Sequence, residues 1–167
     1  MRQGFTLMEA IVAIFVITAG IVGVLSLVTQ TISSAIVSED KLIAAYLAQE
    51  GIEIIRNIRD TNWIEAETYF NDWNEGLTGC SGGCEADYTT SSILDPTLPS
   101  YNGGRFLKID GGFYNYTSGT DTKFKRKITI GSGPIADSLN VKVEVFWQEK
   151  GKTFNVPAQE NLYNWYQ

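Results

Sequence analysis

Residues 10–38 carry no charged side chain, and residues 10–28 read AIVAIFVITAGIVGVLSLV, with Thr18 and Ser26 as the only polar members. A helix needs about 20 such residues to cross the hydrocarbon core of a bilayer. The segment is therefore membrane-compatible, and the rest of the chain is read around it. Of the 32 charged side chains only Arg2 and Glu9 precede residue 39. With Arg2 on the short N-terminal side, the positive-inside rule keeps that end in the cytoplasm and sends the remainder across.

The composition excludes several chemistries. There is no histidine, so a Ser-His-Asp or Cys-His nucleophile pair and a His-ligated metal or haem are ruled out. Two cysteines cannot build a four-thiolate zinc site or an iron–sulfur cluster. Thirteen Lys and Arg against nineteen Asp and Glu give a net charge of −6, a poor general match for nucleic-acid phosphates. At 167 residues the chain suffices for one domain with a modest core plus an appendage.

Three readings compete for the apolar segment. A secretory signal peptide has an apolar stretch of about 7–15 residues followed by an A-x-A-like site, whereas this run is longer and no such triplet follows it. A plain anchor fits the length but leaves Glu9 unexplained, because a carboxylate at the bilayer edge needs a partner or a raised pKa. The third reading starts from Gly4-Phe5-Thr6-Leu7-Met8-Glu9, directly ahead of the run. This hexapeptide resembles the G-F-T-L-x-E signature of type IV pilins and of the pseudopilins of type II secretion. The resemblance implies cleavage by a prepilin peptidase between Gly4 and Phe5, N-methylation of Phe5, and a leader of residues 1–4. It also implies that Glu9 pairs with the Phe5 amine of a neighbouring subunit and sets the register of assembly. On local chemistry alone, Thr6 and Glu9 stand three apart ahead of a helix, the spacing of a capping box. Cap and partner can exchange on assembly.

The helix is expected to continue beyond the membrane. Ile43, Leu47, Gly51, Ile54 and Ile58 recur at helical spacing with Ala44 and Ala48 beside them, an amphipathic pattern. A helix from Thr6 to Arg59 would be on the order of 80 Å long, with Arg56 and Arg59 suiting its C-terminal dipole. Gly20 and Gly23 are points where it could bend, and Ala19 with Gly23 forms a small-residue pair. The run AYLAQEGIEIIR at residues 45–56 is similar to minor pilins and minor pseudopilins of the PilV or GspI kind.

Residues 60–104 read as a loop-rich, acidic connection with aromatic anchors at Trp63, Tyr69, Phe70, Trp73 and Tyr88. Asp72, Asn74 and Glu75 lack the spacing of a dedicated calcium loop, so this stretch is read as a solvated acidic surface and no metal or cofactor is expected. If the head is exported, Cys80 and Cys84 are expected to form a disulfide closing a Gly-rich loop. From residue 105 the pattern changes to strands. Gly111-Gly112 marks a hairpin, Phe124, Ile128 and Ile130 alternate with polar residues, and Val141, Val143, Val145 and Trp147 occupy one face against Lys142, Glu144, Phe146 and Gln148. Residues 149–151 turn the chain into a partner strand at residues 153–156, and Leu162 and Trp165 dock as a terminal element. Six bases in residues 105–127, Arg126 among them, are read as the polar face of these strands. Asn115-Tyr116-Thr117 matches a glycosylation sequon.

The expected fold is α+β and pilin-like: a long N-terminal helix packed on a C-terminal antiparallel sheet. Its parts are a leader (1–4), a hydrophobic transmembrane and filament-core helix (5–37), an amphipathic continuation (38–59), an acidic loop (60–104) and a sheet head (105–167). The resemblance implies a structural subunit and not an enzyme: a minor pilin of a type IV pilus-like filament. It would reside in the cytoplasmic membrane with its head outside the cytoplasm, and then in an extracellular or periplasmic filament. Its partners would be prepilin peptidase, other pilin subunits through their N-terminal helices, and the assembly platform, with no nucleic acid. The alternatives are a type II secretion or DNA-uptake pseudopilin and a single-pass membrane-anchored adhesin.

Overall fold

A computed structural model describes residues 4, 6–69, 72–90 and 98–165, with side chains of the helix followed as far as Ile64. Residues 1–3 of the expected leader, Phe5, the side chain of Tyr69 and the whole of Phe70 lie outside the described residues. The chain divides into two compact units, residues 1–40 and residues 41–167. One helix, α1 (Leu7–Tyr69), belongs to both. It is followed by β1 (Lys108–Asp110), β2 (Phe113–Asn115), β3 (Thr120–Asp121), β4 (Lys125–Ser132), β5 (Ser138–Glu149) and β6 (Lys152–Tyr163).

The molecule is α+β, with the long N-terminal helix packed on a C-terminal antiparallel sheet of order β4-β5-β6. β5 is the central strand, and its alternation places Val141, Val143 and Val145 wholly inside with Trp147 nearly so. Ile128 of β4 lies opposite Val143, and Val156 of β6 opposite Val145. The cover for this face is the α1 stripe: Ala44, Leu47, Ala48, Ile55 and Ile58 are buried in the same cluster as the β5 valines. The contact is close because Gly51 has no side chain. A Cβ built there would lie 2.8 Å from Val143 Cγ1 and 3.1 Å from Arg126 Cδ, both inside ordinary van der Waals distance.

Three features depart from the sequence expectation. The helix does not end at Arg59 but runs ten residues further, to Tyr69. Partners beyond the helix hold the extension: Trp63 Nε1 donates to Asn164 Oδ1 at 3.1 Å, and Asn62 Nδ2 donates to the carbonyls of Trp73 and Glu75. Arg56 and Arg59 are therefore interior helix residues rather than C-terminal ones. Arg56 instead forms ion pairs with Glu53 and with Glu160 of β6, each at 2.6 Å.

The second departure is a separate small sheet, order β2-β1-β3. Its β1–β2 hairpin turns at Gly111 and Gly112, whose φ angles of 57° and 90° are left-handed values that glycine adopts without strain. The third is the length of β6, which extends well beyond residue 156 to pair Leu162 with Leu139. Pro157 lies within it, tolerated because β6 is an edge strand. Leu162 is buried, and Trp165 meets Trp63 edge-on at 4.7 Å.

Replacing Gly51 by valine is expected to destabilise the chain by about 1–3 kcal/mol through overpacking against Val143. Gly131→Ala on β4, where a Cβ meets nothing within 4 Å, should change stability by less than about 0.5 kcal/mol. Urea unfolding of the full chain in detergent would compare the two.

Candidate functional site

The N-terminal half of α1 starts at a cap. Thr6 stands just outside the helix, its Oγ1 accepting from the Glu9 N–H at 3.3 Å and its carbonyl accepting from the N–H groups of Glu9 and Ala10 at 3.1 and 3.2 Å. The Glu9 carboxylate lies in the first turn, where the helix dipole favours negative charge. Gly4 and Thr6 are exposed. The position expected to be cleaved and methylated, Phe5, is among those not described.

Apolar side chains cover the helix on every side from here to Val28. Leu7 is 82% exposed, Phe15 71% and Leu27 66%. A helix that is hydrophobic all round requires lipid or other protein around it. Four hydroxyls on this part of the helix are tied back to its own backbone: Thr18 Oγ1 donates to the Phe15 carbonyl at 3.0 Å, and Thr29, Thr31 and Ser38 do the same to Ser26, Leu27 and Ser34 at 2.9 Å. Such bonds leave no hydroxyl proton needing water, which an apolar medium demands. Among the described residues this is the one helix long and apolar enough to span a membrane.

The head is organised around a charge. Arg126 lies on the same face of β4 as Ile128 and Ile130 and is wholly buried, so it does not belong to the polar strand face expected for it. Its Nη1 donates to the Leu47 carbonyl at 3.0 Å and to Glu50 Oε2 at 2.8 Å, and its Nη2 to the Ala86 carbonyl at 2.6 Å. One side chain thus joins α1, β4 and the loop ahead of the sheets. Tyr116 completes the cluster, its hydroxyl donating to the Arg126 carbonyl at 3.3 Å. Burial pushes the Tyr116 phenol up to about 12, against the opposing effect of the Arg126 charge.

The acidic loop is likewise not a solvated surface throughout. Glu85 is buried and accepts from the Arg105 N–H at 2.7 Å and from Arg105 Nε at 2.6 Å. Asp87 is buried and accepts from the N–H groups of Tyr116 and Thr89, each at 2.9 Å. Cys80 and Cys84 are joined by a disulfide within the core cluster. No group of side chains able to hold a metal ion occurs among the described residues. Asn115 of the sequon is buried, with its Oδ1 accepting from the N–H groups of Thr117 and Ser118 at 2.8 and 2.7 Å. Its Nδ2, the atom a glycan would be attached to, is enclosed.

The buried polar group missed in the sequence is Arg126, and period-two spacing with Ile128 and Ile130 is the signal that marks it. Glu85 and Glu50 carry no such signal, because their partners Arg105 and Arg126 lie 20 or more residues away, and the contact that ties Asp87 to Tyr116 is likewise long-range. No family model, curated protein or solved structure matches this chain.

Arg126→Ala is expected to cost about 3–5 kcal/mol, since it strands two carbonyls and Glu50. Glu50→Gln should cost far less, because Glu50 is one-third exposed and the guanidinium keeps both carbonyls. Denaturant titrations check the order. Tyr116 contributes to the loss of stability at alkaline pH. The folded state retains a proton that the unfolded chain loses near pH 10, so its contribution is full below pH 10 and is lost as pH rises through about 12. About 2–3 kcal/mol is at stake, and Tyr116→Phe should flatten the pH profile of unfolding over that window.

Proposed function

We propose that this chain is a pilin-like structural subunit, inserted in the cytoplasmic membrane by its N-terminal helix, processed by a prepilin peptidase and assembled through that helix into a type IV pilus-like filament as a minor pilin. The observation that carries the reading is the continuity of Gly4-Phe5-Thr6-Leu7-Met8-Glu9 with a helix whose apolar surface is unmatched on every side. Cleavage after Gly4 would leave the membrane helix on the mature protein, unlike removal of a signal peptide.

The physical logic concerns two successive environments. In the membrane, lipid surrounds the apolar side chains of residues 7–28. In a filament the same side chains pack against neighbouring helices, and burying each Val, Leu, Ile or Phe away from water is worth about 1.5–3 kcal/mol. Glu9 supplies what nonspecific apolar packing lacks, a single charge whose match to the Phe5 amine of a neighbour is satisfied in one register. The helix-on-sheet head agrees with this role: it contributes a folded body whose core is complete on residues 41–167 and leaves the apolar half of the helix for assembly. No catalytic function is assigned.

Mass spectrometry of the protein from cells with the processing peptidase should find a chain that begins at methylated Phe5. Retention of the first four residues would overturn the pilin reading in favour of a membrane-anchored adhesin. Glu9→Leu should leave membrane insertion intact and lower incorporation into filaments at least about tenfold, equivalent to ~1.4 kcal/mol. Unchanged incorporation would remove the register role.

A further inference from the structure

A small open groove of about 280 Å³ lies between α1 and the β1–β2 hairpin. The helix contributes Tyr46 and Glu50 to its lining, and the hairpin contributes Gly112, Phe113 and Tyr114. Its volume admits one small group and not a nucleotide or an oligosaccharide. Tyr46 and Phe113 are each 63% exposed, so both rings meet solvent within the one groove. The Tyr88 ring lies 5.5 Å from that of Phe113 and extends the aromatic wall. Among the described residues no Lys or Arg lines this groove.

The charge at the groove is a carboxylate. Glu50 Oε2 accepts from Arg126 Nη1 at 2.8 Å, and the two partners differ in exposure: the arginine side chain is wholly buried, whereas that of Glu50 is one-third exposed. The guanidinium therefore lies on the core side of the pair and the carboxylate on the outer side. Because Arg126 is bonded through Oε2, Oε1 keeps its capacity to face a second cation. The negative charge reaches the groove wall: burial raises the Tyr114 phenol above its ordinary value, and the Glu50 charge raises it further. Aromatic faces carry negative potential, so rings beside a carboxylate attract a cation.

The walls decide which cation fits. A primary ammonium brings three N–H donors and a tight hydration shell, which rings cannot replace. A trimethylammonium group has no N–H to satisfy and presents its charge through methyl groups that pack on aromatic faces. We propose that this groove binds a quaternary ammonium group of the choline type, with its methyl groups against Tyr46, Phe113 and Tyr114 and its charge beside Glu50. Arg126 then has a second effect, since it holds in place the carboxylate that faces the ligand. The same group is carried by free choline and by a phosphocholine headgroup. The proposal stands apart from the filament reading, because every residue in it belongs to the head.

The test is an NMR titration of the isotope-labelled full chain in maltoside micelles, which contain no choline, following the signals of Tyr46, Phe113 and Tyr114. Choline should bind at least about fivefold tighter than dimethylbutanol, its neutral isostere with carbon in place of nitrogen. Phe113→Leu and Tyr46→Leu should each weaken choline about three- to fivefold, and Glu50→Gln at least about threefold. Phe106→Leu, outside the groove, should leave binding unchanged. Circular dichroism would verify that the variants remain folded. Glycerophosphocholine separates the two sources: affinity equal to that of choline supports a headgroup site, weaker affinity supports a site for the free cation, and either retains trimethylammonium recognition. Equal affinity for dimethylbutanol would reduce the groove to an apolar surface and overturn the proposal. Tighter binding of a lysine amide blocked at its α-amine would overturn it in favour of a basic peptide, and absence of choline binding would overturn it outright.

Discussion

A single guanidinium inside an apolar head constrains everything around it. Desolvating Arg126 is costly, and its three short hydrogen bonds to Leu47, Glu50 and Ala86 offset that cost only when α1, β4 and the loop hold their positions together. Hydrophobic burial between helix and sheet would tolerate sliding by a turn or by two residues. The guanidinium does not, because a shifted helix would present neither the Leu47 carbonyl nor the Glu50 carboxylate. Gly51 belongs to the same constraint, since only a residue without a side chain lets both Val143 and the Arg126 stem approach the helix.

This explains why some of the head was readable and some was not. The β5 alternation of Val141, Val143, Val145 and Trp147 is a local pattern, and the structure buries all four. The α1 stripe was equally local, although Ile52 and Ile55 join it. Arg126 escaped because charge suggested solvent while spacing said interior. The extension of the helix past Arg59 escaped because its support comes from Trp73, Glu75 and Asn164, residues distant in sequence. Composition alone made residues 60–69 resemble the loop that follows them.

The N-terminal segment was legible for the opposite reason: its character lies in composition and not in partners. Twenty-nine charge-free positions from residue 10 to residue 38 permit few environments, and the structure adds that the hydroxyls of Thr18, Thr29, Thr31 and Ser38 bond to the helix backbone. Along α1 the requirement changes within a single element. The first part is apolar around its circumference, whereas residues 44–58 are apolar along one stripe. A continuous helix thereby couples a segment that must find its cover outside the chain to one that finds it within.

Chain order gives this arrangement a temporal side. The helical stripe is made first, and its ion pair from Arg56 reaches across 104 positions to Glu160. At about 5–20 residues per second, the interval between synthesis of those two residues is roughly 5–20 s. Throughout it the Ile and Leu side chains of α1 have been made but their sheet has not. The β5–β6 hairpin can zip as soon as it appears, being local, so docking of the early helix onto the late hairpin is the step that closes the head. A nascent chain of this design is most vulnerable to aggregation and proteolysis in the interval before β6 is made, and loss of Glu160 and Leu162 from that strand would remove both the ion pair to Arg56 and the partner of Leu139.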